Sequence, residues 1–229
     1  MPAEIIYTRK VSDDFFHHWK SKGLILRSVP MIDIRQNQVS APAKDLPNRL
    51  IFTSQHAVNA FLQQLSFEEF HEVEVACIEH KTRQLLEASG IIPSIYAPNA
   101  EELLEKISKN WRPGPVLYLC GSIRRDVLPD GLTQAGFAYQ ELQVYQTELL
   151  APTVSWGNAQ DIVFFSPSGV RAFFQQNILP ESKHVWAIGK TTARALEDEG
   201  VKEVRIAANP VSEQLLEEIL LHHNSPITF

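Results

Sequence analysis

Arg49–Leu50–Ile51–Phe52–Thr53–Ser54–Gln55–His56–Ala57–Val58 and Asp161–Ile162–Val163–Phe164–Phe165–Ser166–Pro167–Ser168–Gly169–Val170 are two versions of one pattern: an apolar run, a small polar turn, then a further apolar pair. The run has the length of a buried strand, and the turn carries the hydroxyl residues that cap helices. In the first copy Ala57, Val58, Phe61, Leu62 and Leu65 recur at the spacing of one helical face. The correspondence continues beyond these blocks. Lys81–Thr82 through Leu86 to Gly90 is answered by Thr191–Thr192 through Leu196 to Gly200, and Pro98 through Glu101–Leu104 by Pro210 through Glu213–Leu216. The offset is roughly 110 residues, far longer than the roughly 20 to 50 of solenoid repeats. Such a period implies two related, domain-sized units.

Outward from these blocks, short apolar runs alternate with amphipathic stretches. Glu4–Tyr7 ends at Thr8–Arg9, and Phe15, Phe16 and Trp19 recur at helical spacing before Gly23. Leu24–Leu26 leads to Pro30–Asp33, Val73–Ile78 reads as a strand, Leu85–Ala88 as helix, and Gly90 as a terminal glycine. Pro113–Gly114–Pro115 is the clearest break between the units. Past it Val116–Cys120 makes a strand ending at Gly121–Ser122, followed by a helix up to Gly136. Gly136 before Gln143–Val144–Tyr145 echoes Gly23 before Pro30–Met31–Ile32, so the duplication covers nearly the whole chain. Strands alternating with helices through short loops call for an α/β fold of two similar domains, each a parallel sheet with helices on both faces.

Length and composition agree. A chain of 229 residues accommodates two domains of about 110 each, and 44% hydrophobic with 21% charged residues is ordinary globular material. No apolar run approaches the roughly 18 residues of a membrane span, and the acidic N-terminus lacks the plan of a signal peptide, so a cytoplasmic, membrane-free protein is expected. The net charge of −6 argues against nucleic acid as a partner. Cys77 and Cys120 form no CxxC and lie in strand contexts, which suits buried free thiols.

Ligands of open α/β sheets bind beyond the carboxyl ends of the strands, where helix N-termini offer free N–H groups. Small polar residues stand at those junctions: Thr53–Ser54, Gly121–Ser122, Ser166–Pro167–Ser168–Gly169 and Gly189–Lys190–Thr191–Thr192. Capping alone explains any one of them; four in a duplicated pair of domains point towards a ligand. Arg9, Lys10, His56, Lys81, Arg124, Arg125, Arg171 and Lys190 also fall close to predicted strand ends. First helical turns ordinarily prefer acids, so cations there suit an anion site, against the alternative of solvated surface side chains.

Sharper motifs fail. Gly189–Lys190–Thr191 resembles the end of a phosphate-binding loop, but His184 stands where its first glycine belongs. GxGxxG, HExxH and GxSxG are absent, and the adjacent pairs His17–His18 and His222–His223 diverge on a helix too far to share a metal. Neither cofactor nor metal is expected.

Five blocks together carry a resemblance: Leu50–Ser54 with Ala57–Val58, Cys120–Ser122 with Leu128–Pro129, Val144–Thr147, Phe164–Val170, and Ala187–Ala193. In this order, and spanning most of the chain, the set is similar to the uroporphyrinogen-III synthase family. The resemblance implies that each domain takes pieces from both repeats: an outer domain of residues 1–34 plus 148–229, an inserted domain of 37–142, and a two-stranded linker between them. It also implies a substrate held between the domains and a cofactor-free reaction. That reaction closes the linear tetrapyrrole hydroxymethylbilane into uroporphyrinogen III, with loss of water and inversion of the terminal ring through a spiro intermediate. The substrate's eight carboxylates suit strand-end turns.

By the same resemblance Tyr145 matches the family's tyrosine and is the expected catalytic group, a phenol donating to the departing hydroxyl. A strand tyrosine packed in a core is the competing explanation. Thr82 and Thr192 match threonines at equivalent turns, and Thr53, Ser54, Gly121, Ser122, Ser166, Pro167, Ser168, Gly189, Thr191 and Arg9 complete the expected substrate-binding set. Glu79 departs from the family, which commonly has glycine there; a carboxylate facing the substrate would repel it. A monomer acting on a small-molecule tetrapyrrole is expected. The alternative from another class is a non-catalytic two-domain sensor that closes on a small anionic metabolite.

Overall fold

The computed structural model describes residues 2–39, 47–64 and 73–224. The chain separates into two compact units, one of Met1–Asp33 with Glu148–Phe229 and the other of Ile34–Thr147. Pro113–Gly114–Pro115 is therefore no boundary between units. It lies inside the second, at the entry to a strand that begins at Pro115, where proline's missing N–H is tolerated.

The first unit contains β1 (Ala3–Tyr7), α1 (Asp13–Ser21) and β2 (Leu24–Ser28) from the start of the chain. The second unit is reached through β3 (Ile32–Gln36) and holds β4 (Arg49–Phe52), α2 (Gln55–Gln64), β5 (Glu74–Ile78), α3 (Lys81–Ala88), β6 (Ile95–Ala97), α4 (Ala100–Asn110), β7 (Pro115–Gly121), α5 (Val127–Gln134) and β8 (Ala138–Leu149). The chain returns to the first unit for β9 (Asp161–Phe164), α6 (Pro167–Phe174), β10 (His184–Ala187), α7 (Lys190–Asp198), β11 (Arg205–Ile206) and α8 (Ser212–Asn224). Leu65, expected on the face of α2, lies outside the described residues.

In the first unit the strands lie in the order β11-β10-β9-β1-β2, every neighbouring pair parallel. Successive residues of a strand point to opposite faces, and both faces here are apolar. Ile5, Tyr7, Val163 and Trp186 pack with Trp19 of α1 and Leu215, Leu216 and Ile219 of α8. Ile6, Ile162, Phe164 and Val185 pack with Val170 and Phe173 of α6 and Leu196 of α7.

The second unit repeats the plan in the order β3-β8-β7-β4-β5-β6, with the β8/β7, β7/β4, β4/β5 and β5/β6 pairs parallel. Leu50, Phe52, Val75, Leu117 and Leu119 face α2 and α3 through Val58, Phe61 and Leu86. Ile51, Ala76, Val116 and Tyr118 face α4 and α5 through Leu103, Ile107, Leu128 and Leu132. Cys77 and Cys120 are buried free thiols in these two layers. Burial raises both, Cys77 to about 12 and Cys120 to about 11, so neither is a thiolate nucleophile at neutral pH. The β3/β8 neighbours carry the chain out of the first unit and back into it.

Candidate functional site

In the second unit the order β8-β7-β4 brings three strand ends side by side. Strand β4 stops at Phe52, and Ser54 turns the chain into α2, its Oγ accepting the His56 backbone N–H at 3.1 Å while its carbonyl accepts from Ala57 and Val58. Serine serves at this position because its oxygen satisfies a helix-start N–H that no carbonyl can reach. Thr53, one residue earlier, shares a hydrogen bond of 3.2 Å with the buried Tyr118 hydroxyl.

Strand β7 ends at Gly121, directly paired with Tyr145 of β8 across an irregularity in register at Cys120/Gly121. A Cβ on Gly121 would lie 2.3 Å from Cε2 and Cζ of Tyr145 and 2.7 Å from its hydroxyl, so the phenol ring occupies the space a side chain would need. Ser122 fixes the backbone on both sides of Tyr145. Its N–H donates to the Tyr145 carbonyl at 3.0 Å, and its Oγ accepts the Thr147 N–H at 3.0 Å.

Tyr145 is 8% exposed. Its ring sits 5.5 Å from the His56 imidazole. Burial raises its pKa above the ordinary 10.0, opposed by the nearby Ser54 hydroxyl. The phenol is thus protonated at neutral pH and available as a donor. Burial takes Tyr118 further, to about 12, and at 2% exposure its hydroxyl is turned into the protein on Thr53.

Thr82 lies one strand further along the same edge, in the first turn of α3, and is buried. The turn before it is unusual: His80 has φ 67°, a left-handed conformation that favours glycine, and its side chain does not cap the helix. Glu79 lines a depression of about 330 Å³ together with His80, Arg83, Gln84 and Glu87.

In the first unit the order β10-β9-β1 makes a second row of strand ends. Ser166 caps α6, its Oγ accepting the Gly169 N–H at 3.1 Å and standing 3.0 Å from the Ser168 hydroxyl, with Pro167 in the first helical turn where its missing N–H costs nothing. On β1's side Thr8 donates to the Val163 carbonyl at 2.6 Å, and the Arg9 guanidinium lies 4.5 Å over the Phe165 ring. Burial lowers Arg9 from its ordinary value, opposed by Tyr7, yet an arginine stays charged at neutral pH. On β10's side Gly189 begins α7 without a side-chain cap, and a Cβ there would meet nothing within 4 Å. Its φ of −178° is ordinary extended backbone, so neither strain nor crowding demands glycine. Thr191 is exposed and Thr192 buried in the turn that follows.

Thr53, Ser54, Gly121, Ser122 and Tyr145 thus gather at one strand-end row, with Thr82 beyond them; Arg9, Ser166, Pro167, Ser168, Gly189, Thr191 and Thr192 gather at the other. Several of the cations read as anion-binding are instead held by carboxylates. Lys10 pairs with Asp33 at 2.8 Å, Arg124 with Glu141 and Asp126, and Arg125 with Glu101 at 2.8 Å. Arg171 lies in the last turn of α6, away from the strand end. His56, read as a strand-end cation, stands at this row with its ring against Tyr145, whereas Tyr118 belongs to no motif that singles it out as a partner.

The family model Uroporphyrinogen-III synthase HemD matches residues 14–217. The uroporphyrinogen-III synthase of Saccharomyces cerevisiae is 30% identical over 132 residues, which span 48% of this chain and 46% of the yeast protein. That of Chlorobaculum parvum is 27% identical over 175 residues, 67% of this chain and 70% of the relative. Among solved structures, uroporphyrinogen-III synthetase from Helicobacter pylori superposes with a TM-score of 0.69 at 20% identity, covering 96% of this chain and 99% of that one. A mutant uroporphyrinogen III synthase from the extremely thermophilic bacterium Thermus thermophilus gives 0.68 at 15% identity, covering 97% and 100%. At these identities the structural likeness is one of fold. With the family model running from α1 into α8, the chain belongs to the uroporphyrinogen-III synthase family.

Proposed function

We propose that the chain is a uroporphyrinogen-III synthase, which converts hydroxymethylbilane to uroporphyrinogen III by removing water, inverting the terminal pyrrole and closing the ring. The observation that carries this reading, beside family membership, is a protonated phenol laid across Gly121 at a strand-end row. Tyr145 gives its proton to the departing hydroxyl as a general acid, a role ordinarily worth about 10²- to 10⁴-fold in rate.

The strand-end turns take the substrate's carboxylates. Backbone N–H groups at the starts of α2, α6 and α7 are suited to anions without a basic protein, consistent with a net charge of −6. Thr53, Ser54, Thr82 and Ser122 serve from one unit, and Arg9, Ser166, Pro167, Ser168, Gly189, Thr191 and Thr192 from the other. The two functional domains of this reading are an outer one, residues 1–34 plus 148–229, and an inserted one, 37–142.

Hydroxymethylbilane closes unaided without inversion, so most of the enzyme's work is holding a folded conformer in which the inverted bond can form. Product identity therefore tests the reading. Purified chain supplied with hydroxymethylbilane is expected to give the type III macrocycle, whereas type I alone, formed at the buffer rate, would refute it.

A further inference from the structure

Arg9 is a cation held in place without an anion. The backbone around it is tied to both neighbouring strands: Thr8 Oγ1 donates to the Val163 carbonyl at 2.6 Å, and the Arg9 carbonyl accepts from Ser28 Oγ at 2.9 Å. Among the described residues no carboxylate pairs with the guanidinium, whereas Lys10, the next residue, is paired with Asp33. What the side chain has instead is the Phe165 ring, whose centroid lies 4.5 Å from Cζ. A half-buried arginine has five N–H donors and less water than usual to satisfy them, so a missing counter-ion leaves it primed for an anion from outside.

Phe165 is 6% exposed and stands between the last residue of β9 and Ser166, the cap of α6. Tyr7 lies 4.6 Å from its ring, and Phe15 6.0 Å from Tyr7, so the platform is braced by the core of the first unit. Neither the strand end nor the cap demands an aromatic residue there. In the duplicated block Thr53 occupies the same place before Ser54, and its hydroxyl bonds to Tyr118. The ring therefore suits its neighbour Arg9 more than it suits the turn. An aromatic face attracts a guanidinium through its quadrupole without taking any N–H group and without cancelling the charge. A carboxylate would do both.

We propose that Phe165 is a positioning residue for substrate binding, its ring holding the Arg9 guanidinium at the strand-end row of the first unit with the N–H fork free for a substrate carboxylate. The inference rests on the synthase reading, and it gives Arg9 and Phe165 jointly the task of receiving one acid side chain of the tetrapyrrole. The planar fork takes a carboxylate through two parallel hydrogen bonds, which a lysine in its place would not do. Burial lowers Arg9 from its ordinary value without discharging it, so an arriving carboxylate replaces hydration that the guanidinium has already lost.

Four variants separate positioning from packing: Arg9→Gln, Phe165→Leu, the two together, and Phe165→trifluorophenylalanine, which keeps the ring's shape while weakening its negative face. The KM for hydroxymethylbilane, measured as turnover to the type III isomer, is expected to rise roughly 10- to 100-fold in Arg9→Gln. In Phe165→Leu it should rise about 3- to 30-fold, the rise exceeding any fall in kcat. The double variant should be no worse than Arg9→Gln, because the ring acts through the guanidinium. Phe165→trifluorophenylalanine should raise KM in the same direction at an unchanged Tm. Without substrate, the Arg9 Nε–H magnetic resonance signal, identified by its loss in Arg9→Gln, is expected to lose its ring-current shift in Phe165→Leu. Full additivity of the two single effects, a wild-type KM in the trifluorophenylalanine variant, or an unmoved Arg9 signal would each overturn the proposal and leave Phe165 a core residue. If Phe165→Leu does not fold, the trifluorophenylalanine variant decides alone. A wild-type chain that forms no type III isomer would instead remove the synthase reading, and the Arg9 signal would still decide whether Phe165 holds the guanidinium.

Discussion

A methyl group on Gly121 would lie 2.3 Å from two carbons of the Tyr145 ring, well inside any tolerable contact. The ring is stiff, so it must swing about its own χ1 and leave the His56 imidazole. Gly121→Ala is accordingly expected to cost about 1–3 kcal/mol in stability through overpacking, and to lower kcat nearly as far as Tyr145→Phe does. Urea unfolding and isomer-resolved turnover measure the two effects. A stable variant with normal turnover would mean that the ring position over Gly121 is irrelevant to the chemistry. The same residue marks what a sequence can and cannot disclose. Gly121–Ser122 is legible as a strand-end turn from its residue types. Its contact with Tyr145 is not, because that contact depends on β7 and β8 lying side by side in the sheet. Tyr118 is opaque for the same reason, and His56, legible as a cation near a strand end, discloses nothing of its place beside the Tyr145 ring, since strand order brings together groups remote in sequence. Tyr145 itself stands out only through the family resemblance, because a tyrosine in a strand is as well explained by core packing.

Helix starts are the elements that recur along both strand-end rows, and they are not equivalent. Ser166 and Ser54 cap through their hydroxyls, whereas α7 begins at the bare Gly189 and α3 at the left-handed His80. On α4, Asn99 accepts the Glu102 N–H at 2.9 Å and returns a hydrogen bond of 2.7 Å to the Glu102 carboxylate. Asn99→Ala should cost about 1 kcal/mol, a fall in Tm of roughly 2–4 °C, with turnover unchanged; no change in Tm would show the cap to be idle. Strands buried on both faces are readable as continuous apolar runs, as with Leu50–Phe52 and Val116–Cys120. The two shortest edge strands, β6 and β11, are not. At Ile95–Ala97 and Arg205–Ile206 too few residues form the element for any period to emerge. The cations placed near strand ends illustrate a further limit: charge is visible in a sequence, but Arg124 and Arg125 are neutralised in part by carboxylates from other elements, Glu141 on β8 and Glu101 on α4.

At the scale of the molecule, the repeat points to two α/β units, and the parallel sheets with helices on both faces bear out that class. What the repeat alone misleads about is sequence order, since Pro113–Gly114–Pro115 divides the duplicated halves but lies within one unit. The first unit carries a pH dependence of its own. Asp161, fully buried on β9, accepts from Trp186 Nε1 at 2.8 Å and meets His223 Nε2 at 2.6 Å, while His222 packs on His184 at 5.0 Å. Burial, reinforced by Arg205 and His184, lowers the pKa of His222 below its ordinary 6.5. A histidine held neutral in the fold takes up a proton more readily when unfolded, so its contribution is intact above about pH 6.5 and is lost as pH falls through that value. Tm is expected to drop between about pH 7.5 and 5.5, and less steeply in His222→Gln. Parallel pH profiles for the two proteins would assign the titration elsewhere.

That this chain imposes ring inversion through a phenol on β8 is tested most directly by the isomer formed from hydroxymethylbilane, with wild-type chain, Tyr145→Phe and buffer measured side by side. Type III product is expected from the wild type, with a turnover lower by about 10²-fold or more in a folded Tyr145→Phe. Type I alone from the wild type, or type III at an undiminished rate from Tyr145→Phe, would contradict it.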